Sequence, residues 1–335
     1  MYPWLEANWQ RLMQARKAGR LPHALLLSGP EGAGKGGFAT ELAASLLCRR
    51  PRDDGEACGR CPACQLFAAG THPDFFRIEP EEAGKSIKVD QIRQLCGELA
   101  MTSHAAGRKL AIIEPADALN ANAANSLLKT LEEPTDNTLI MLVTSVPRRL
   151  PATIRSRCQQ QRLPLPDTDT AQRWLATQVE DAGQVQALLA MAGGSPLRAM
   201  VLHAAGMPER YRHWTEQVLA VATRTADPVS VAAEWNKEQT PDSLTWFRRW
   251  LQDLIRHHQA GVDTGAGEQT GSLQRLPESV DCRSIHEQLD RVGDALNQWS
   301  AGLNHQLLLE AVLINWAEIW QTGARGSASG QNQDV

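Results

Sequence analysis

A glycine-rich segment that ends in lysine is the first feature of this sequence whose spacing predicts chemistry. It reads GPEGAGK over residues 29–35 and matches the first seven positions of the phosphate-binding pattern G-x-x-x-x-G-K-[ST]. Gly29, Gly32 and Gly34 let backbone N–H groups turn toward phosphate oxygens, and Lys35 reaches the outer phosphates. The segment therefore predicts a loop that cradles the phosphates of a nucleotide.

Two departures from the pattern of an active ATPase accompany this loop. The eighth position is Gly36, where a Ser or Thr hydroxyl would hold Mg²⁺. An apolar segment at 110–113 is followed by Glu114 and Pro115, where an ATPase of this layout carries an Asp for the metal and a Glu for the attacking water. Glu114 is equally consistent with a solvated acid at the end of a strand. We expect weakened ATP binding and no ATPase site in this chain.

Four cysteines lie close together in the sequence and predict a metal site. Cys58, Cys61 and Cys64 are spaced as C-x₂-C-x₂-C, and Cys48 lies upstream. Four thiolates on short Gly- and Pro-containing loops suit a tetrahedral Zn²⁺, and a fully protein-filled set makes that zinc structural. An iron–sulfur cluster uses similar spacing, and four unrelated buried cysteines are the remaining alternative.

The apolar pattern predicts the elements that position these groups. Strands are expected at 24–27, 75–78, 110–113 and 139–143, alternating with helices at 4–18, 36–48, 89–99 and 122–133. Residues 49–72 are rich in Gly, Pro, Cys and charge and are expected to form a loop-built insertion. The alternation indicates a parallel α/β sheet, and only helices are expected after residue 166.

Length and composition set the broad class. The chain has 335 residues, with 34 Lys+Arg against 38 Asp+Glu, and 42% of its residues are apolar. This is ordinary globular composition for two or three domains. No transmembrane segment or signal peptide is visible, so we expect a cytoplasmic protein. Without an excess of basic residues, any contact with DNA should be local or shared with partners.

Several motifs together resemble the bacterial clamp-loader family of AAA+ proteins. They are the phosphate loop, the cysteine insertion, GTHPD at 70–74, ANSLLKTLEEP at 124–134 and SRC at 156–158. The resemblance covers residues 1–205, and beyond it only length and helical character agree. It implies an AAA+ P-loop parallel sheet over 1–165 with the zinc insertion at 48–64, a helical lid domain over 166–207 and an all-α C-terminal collar domain over 208–322. Residues 259–277 are expected to form a flexible loop and residues 323–335 a disordered tail.

The resemblance also implies roles for single residues. Arg157 matches an arginine finger that acts in trans on a neighbour's ATP, Thr144 matches a sensor of the γ-phosphate, and Arg198 resembles a second sensor. Gly36 and Pro115 place the chain with the family's non-hydrolysing subunits rather than with its tau/gamma ATPases. Such a chain would be a stator in a hetero-pentamer with tau/gamma and delta subunits, which loads the sliding clamp onto primed DNA during replication by DNA polymerase III.

Three other functions remain open at this level. They are an ATP-hydrolysing tau/gamma-type subunit of the same loader, a P-loop kinase with a small-molecule acceptor, and a zinc-based nucleic-acid-binding module. The last helix is also ambiguous, because its apolar side suits either the collar or an internal core; this side comprises Leu307, Leu308, Val312, Leu313 and Ile314.

Overall fold

A computed structural model describes residues 1–82, 84–103, 107–179, 181–260, 282–299 and 301–326. These residues form two compact units. The first comprises Met1–Ala182 and Met191–Met200, and the second comprises Gly183–Ala190 and the described residues from Val201 onward. The lid predicted over 166–207 is divided between the two units, so the boundaries of the lid and of the collar stay predictions.

A five-stranded parallel sheet forms the centre of the first unit. Its strands are Ala24–Ser28 (β1), Phe75–Ile78 (β2), Lys109–Ile113 (β3), Thr138–Thr144 (β4) and Gln159–Arg162 (β5). Their order across the sheet is β2-β3-β4-β1-β5. The first four strands confirm the sequence prediction. β1 lies between β4 and β5, so the loop that follows it starts from an inner strand at the carboxyl edge of the sheet.

The central strands read as continuous apolar runs because both faces of the sheet are covered. In β1, Leu25 and Leu27 point into one core and Leu26 into the other, as the two-residue period of a strand requires. The first core contains Trp9 and Phe38, and the second contains Leu127 from the opposite side of the sheet. The buried sheet provides a rigid support for the residues at its carboxyl edge.

Within the described residues, seven helices lie entirely in the first unit, and their ranges are Glu6–Lys17 (α1), Lys35–Leu47 (α2), Pro62–Ala68 (α3), Val89–Ala100 (α4), Ala121–Glu132 (α5), Ala152–Arg155 (α6) and Thr168–Ala176 (α7). α1 and α2 pack on one face of the sheet, and α4 and α5 pack on the other. The Asn120 side chain caps α5 by accepting a hydrogen bond from the backbone N–H of Ala123. Short 3₁₀ helices span Pro3–Leu5, Ala116–Ala118, Pro147–Arg149 and Ala182–Gln184.

Two elements of the first unit differ from the sequence prediction. β5 has the sequence QQQR and was not predicted, because three of its four residues are exposed and it has no apolar pattern. Residues 49–72 contain the helix α3, although a loop-built insertion was expected. α3 begins at Pro62, whose fixed φ suits a first helical position.

The second unit consists of helices around an aromatic core. Val185–Met191 (α8) and Pro196–Ala204 (α9) lie at the division between the units, and they are followed by Met207–Ala222 (α10), Pro228–Asn236 (α11), Asp242–Ala260 (α12), Cys282–Trp299 (α13) and His305–Gly326 (α14). Trp214, Trp235 and Trp250 are among the buried core residues. Trp316 is fully buried and donates from Nε1 to the carbonyl of Val218. Seven of the ten tryptophans of the chain lie in this unit and pack in or against its core.

Parts of two expectations fall outside the described residues. α12 continues through Ala260, and the rest of the loop predicted over 259–277 lies outside them. α14 continues to Gly326, four residues into the predicted tail, whose remainder also lies outside. Within the described residues, no single helix has the length and hydropathy to span a bilayer, and α8 and α9 meet that test only as a bent pair.

Candidate functional site

The predicted phosphate loop lies where the sequence placed it, between β1 and α2. Gly32 and Gly34 adopt φ values of +72° and +89°, which only glycine adopts without strain. α2 begins at Lys35, so the loop ends at a helix N-terminus. Gly29 is required for packing as well, because a Cβ there would collide with the backbone of Leu163. Its hydrogen permits a close approach between two backbone segments.

Side chains hold three carbonyl groups of this loop. Lys35 Nζ donates to Pro30 O at 2.7 Å, Ser195 Oγ donates to Gly32 O at 3.0 Å, and Trp4 Nε1 donates to Ala33 O at 3.0 Å. The ring of Tyr2 covers Gly34, where an added Cβ would lie 2.7 Å from Tyr2 Cδ2. Tyr2 and Trp4 stack on each other with ring centroids 5.0 Å apart. The loop is thus tied to the first residues of the chain and to the start of α9.

Lys35 points into the protein. It is buried, and Nζ also donates to Ser145 Oγ at 2.9 Å. Burial lowers the pKa of Lys35, and the negative charge of Glu114 opposes this shift. In this arrangement, the ammonium is engaged by its own loop and by the end of β4.

Glu114 occupies the space beside Gly36. An added Cβ at Gly36 would lie 2.5 Å from Glu114 Oε1. Arg77 Nη2 lies 3.7 Å from Glu114 Oε2 and donates a hydrogen bond to Thr40 Oγ1 at 2.8 Å. Burial raises the pKa of Glu114, and Arg77 opposes this shift. The departures from the ATPase pattern at Gly36 and Glu114 are therefore coupled in space, because the Glu114 carboxylate fills the room that a side chain at position 36 would need.

The two sensor-like residues are placed differently. Thr144 is buried, and its hydroxyl donates to Asp117 Oδ1 at 2.5 Å and accepts from the backbone N–H of Val146 at 3.0 Å. The Arg198 side chain is exposed, while its backbone N–H donates to Ser195 Oγ at 3.2 Å. The hydroxyl of Thr144 is thus occupied by neighbours in the protein.

A small cavity of about 260 Å³ marks this site, lined by Glu31, Gly32, Gly34, Lys35, Gly36, Glu114, Pro115, Val143, Thr144, Ser145 and Leu197. It brings together four of the predicted residues, which are Gly32, Gly34, Lys35 and Thr144. Gly29 and Arg198 are not in its lining. The sequence offered no signal for Trp4 and Ser195, because their contacts with the loop come from distant segments.

The four cysteines come together, as predicted. Their Sγ atoms all lie within 4.8 Å of one another, with Cys48 to Cys61 at 3.9 Å and Cys58 to Cys64 at 4.0 Å. Tetrahedral bonds of about 2.3 Å to one ion require sulfurs about 3.8 Å apart. Thiolates bound to separate irons of a cluster would lie farther apart. This arrangement can hold a single tetrahedral metal ion.

Local hydrogen bonds support this cysteine cluster. Burial acts to raise the pKa of Cys61, but hydrogen bonds from the backbone at Cys64 and Arg49 and from neighbouring thiols outweigh it and lower that pKa to about 6, whereas burial and the thiols of Cys61 and Cys48 raise the pKa of Cys64. A thiolate at neutral pH is the form that binds metal. The preceding loop is attached to α1, because Trp9 Nε1 donates to Asp54 O at 3.0 Å.

Arg157 lies on the surface between α6 and β5. Its Nη1 donates to Thr153 O at 2.8 Å, and its Nη2 lies 2.5 Å from Glu132 Oε1 at the end of α5. The side chain is 34% exposed. It is not in the lining of the P-loop cavity, so a role in this chain's own pocket has no support from the geometry. Glu132 was not singled out in the sequence, where it is one letter of the 124–134 motif.

Comparisons with known proteins place this architecture in one family. A family profile described as "DNA polymerase III, delta subunit" matches residues 4–167, and one described as "DNA polymerase III, delta subunit, C terminal" matches residues 209–318. The DNA polymerase III subunit delta' of Pseudomonas aeruginosa is 41% identical over 95% of this chain and 98% of its own length. The chain belongs to the DNA polymerase III subunit delta' family. The family's Escherichia coli member is 33% identical over 96% of this chain and 97% of its own length.

A solved structure agrees with the fold expected for a delta' chain. The "DNA polymerase III, gamma subunit-related protein" of Thermotoga maritima has a TM-score of 0.53 and 19% identity, over 93% of this chain and 99% of that one. At this identity, the likeness concerns the fold alone. The AAA+ type α/β fold and the helical C-terminal part, both predicted, are confirmed. The preference for the delta' type, which rested on Gly36 and Pro115, agrees with family membership.

Proposed function

We propose that this chain is the delta-prime stator of a clamp loader and lends Arg157 to the ATP site of a neighbouring tau/gamma subunit. The observation that carries the proposal is the contrast between two separate sites of the first unit. One site presents an arginine held by two acceptors, and the other is a P-loop without the groups that hydrolysis needs. A guanidinium stays charged and offers a rigid fork to phosphate oxygens.

The chain's own pocket is idle in this proposal. Gly36 supplies no hydroxyl for Mg²⁺, Pro115 cannot accept a proton, and Lys35 is engaged by Pro30 and Ser145. These features disfavour the alternative of an ATP-hydrolysing tau/gamma-type subunit. Thr144 then acts as a buried packing residue rather than a sensor, and Arg198, whose side chain is exposed, has no sensor role.

The idle pocket predicts that Mg-ATP does not stabilise the isolated chain. A ligand raises stability by RT ln(1 + [L]/Kd), so a very weak ligand has almost no effect. We expect about 1 mM Mg-ATP to raise the midpoint of thermal unfolding by less than about 1 °C. Differential scanning calorimetry checks this, with a tau subunit of the same organism as the responsive control. A shift of several degrees would contradict an idle pocket.

The metal of the cysteine cluster is zinc, and its role is structural. Cys48, Cys58, Cys61 and Cys64 would fill all four positions of a tetrahedral ion, which leaves none for a reacting water. Zinc bound there supplies folding free energy to a polar insertion. The chain's own residues contribute the thiolates and the hydrogen bonds that hold the loop on α1.

The last helix supports a role in assembly through a part of its apolar side. Val312 and Leu313 are buried in the helical core, whereas Leu307 and Ile314 are exposed large apolar side chains. The preceding Leu303 is exposed as well. The internal core therefore takes some apolar residues of this helix, and others remain available for a collar. We assign the exposed residues to the collar, where helical domains of tau/gamma and delta subunits would cover them in the hetero-pentamer.

Through this complex, the chain would act on the sliding clamp and on primed DNA. Its net charge of −4 gives no excess of basic residues for independent DNA binding. Tight, salt-sensitive binding of primed DNA by the isolated chain would favour a nucleic-acid-binding module instead.

Reconstitution with tau/gamma and delta subunits tests the arginine finger. An Arg157→Ala chain should assemble normally, measured by size-exclusion chromatography with light scattering, yet lose ATPase stimulated by clamp and primed DNA. Arg93→Ala is the matched control, because Arg93 is an exposed arginine of the same unit that also pairs with a carboxylate, Asp90. Unchanged stimulated ATPase in a normally assembled Arg157→Ala complex would refute the finger role.

A further inference from the structure

Two acceptors from separate elements hold the guanidinium of Arg157. Glu132, the last residue of α5, lies 2.5 Å from Nη2 through Oε1, and the carbonyl of Thr153 in α6 accepts from Nη1 at 2.8 Å. An isolated pair between exposed side chains stabilises a protein little. Here, however, the second acceptor is backbone, and the two together define the plane of the guanidinium.

Buried neighbours fix the backbone on both sides of this arrangement. Leu131 precedes Glu132 and is 1% exposed, and Ile154 follows Thr153 and is fully buried. Both belong to the same core on one face of the sheet, together with Cys158, which follows Arg157. The positions of the carboxylate, the carbonyl and the arginine backbone are therefore set by the packed core.

We propose that Glu132 is a positioning residue for Arg157, and this rests on the proposed function of Arg157 as the finger. A guanidinium carries five N–H donors in one plane. Glu132 and the Thr153 carbonyl engage one donor on each terminal nitrogen and leave others to bind phosphate oxygens of a nucleotide in the neighbouring subunit. Glu132 touches no substrate and acts through Arg157 alone.

Orientation is the quantity that Glu132 controls. A catalytic group held in its working geometry before the reaction saves the cost of ordering it, and a small misplacement lowers the rate strongly. Without the carboxylate, the long Arg157 side chain samples several rotamers about a single remaining acceptor. The negative charge of Glu132 partly offsets the positive charge of the Arg157 guanidinium. We expect this loss to be smaller than the gain from fixing the orientation of Arg157.

Glu132→Ala and Glu132→Gln separate orientation from charge. In a loader reconstituted with tau/gamma and delta subunits, pre-steady-state phosphate release reports the hydrolysis rate of the affected site. We expect Glu132→Ala to lower that rate about tenfold and to leave the KM for ATP within about twofold. Glu132→Gln keeps an acceptor oxygen without the charge and should recover most of the rate.

Glu133 provides the matched control. It is an exposed glutamate next in sequence, at the C-cap of α5, and no ion pair involves it within the described residues. Glu133→Ala should hydrolyse ATP at the wild-type rate. Complex size and thermal unfolding should be equal in all variants, so that loss of folding is detected separately.

A double substitution makes the result specific. In an Arg157→Ala background, Glu132→Ala should cause no further loss, because its only route to the chemistry is Arg157. A full additional loss, a rate increase in Glu132→Ala alone, or equal rates for Glu132→Ala and Glu133→Ala would overturn the positioning role. If Arg157→Ala itself had no effect, the finger proposal would fail first, so the two failures are distinguishable.

Discussion

Substituting Cys61 by serine is expected to abolish zinc binding and to open the insertion between α2 and α3 to trypsin. The apparent binding free energy of a structural zinc is about 10–16 kcal/mol, which makes it the largest single contribution to this region. Residues 49–60 have almost no apolar burial of their own, since Gly55 is the one buried residue among them. They carry three arginines at which trypsin can cleave, namely Arg49, Arg52 and Arg60, whereas Arg50 precedes Pro51 and is resistant.

Metal analysis and timed proteolysis measure these two effects. The wild-type chain should contain one zinc per chain and resist cleavage in the insertion until a chelator is added. Cys96→Ser is the matched control, because Cys96 is a free cysteine outside the cluster. Iron in place of zinc, or a Cys61→Ser chain that keeps its metal and its resistance, would show the metal assignment to be wrong.

Replacing Arg157 by alanine is expected to lower ATP hydrolysis at the neighbouring site by about 10³-fold or more. An arginine finger stabilises the charge that develops on the transferred phosphoryl group, and removal of a planar, permanently charged donor leaves that charge uncompensated. Arg157→Lys should recover only a minor part of the loss, because an ammonium keeps the charge but cannot reproduce the fork held by Glu132 and Thr153.

Single-turnover hydrolysis in the reconstituted complex resolves this effect from the other ATP sites. One site should become slow while the remaining sites keep their rate, so the amplitude of the fast phase should fall by one site. A lysine variant as fast as the wild type would mean that charge alone is needed. A uniform slowing of every site would indicate an assembly defect instead.

The strands and helices that could be predicted are those whose buried positions give a recognisable pattern of apolar residues in the sequence. β1, β3 and β4 are covered on both faces and read as apolar runs, and α4 and α5 show an apolar stripe at helical spacing. β5 could not be predicted because it is polar and largely exposed, so its pairing with β1 leaves no apolar pattern in the sequence.

Some features of the candidate site could likewise be predicted from the sequence. The glycine spacing of the P-loop, the lack of a hydroxyl at Gly36, the lack of a base at Pro115 and the set of four cysteines are all properties of residue type and spacing. The fourth cysteine, Cys48, was grouped with the other three from sequence, and the Sγ distances confirm that it lies with them.

Contacts between distant segments required the folded chain. Glu114 fills the space beside Gly36, Trp4 and Ser195 hold carbonyls of the P-loop, and Glu132 meets Arg157. The local sequence pattern does not predict these contacts, because each forms where the packing of the sheet and its helices brings separate segments together. Residue types therefore established which chemical groups this protein has and lacks, and packing established which of them touch.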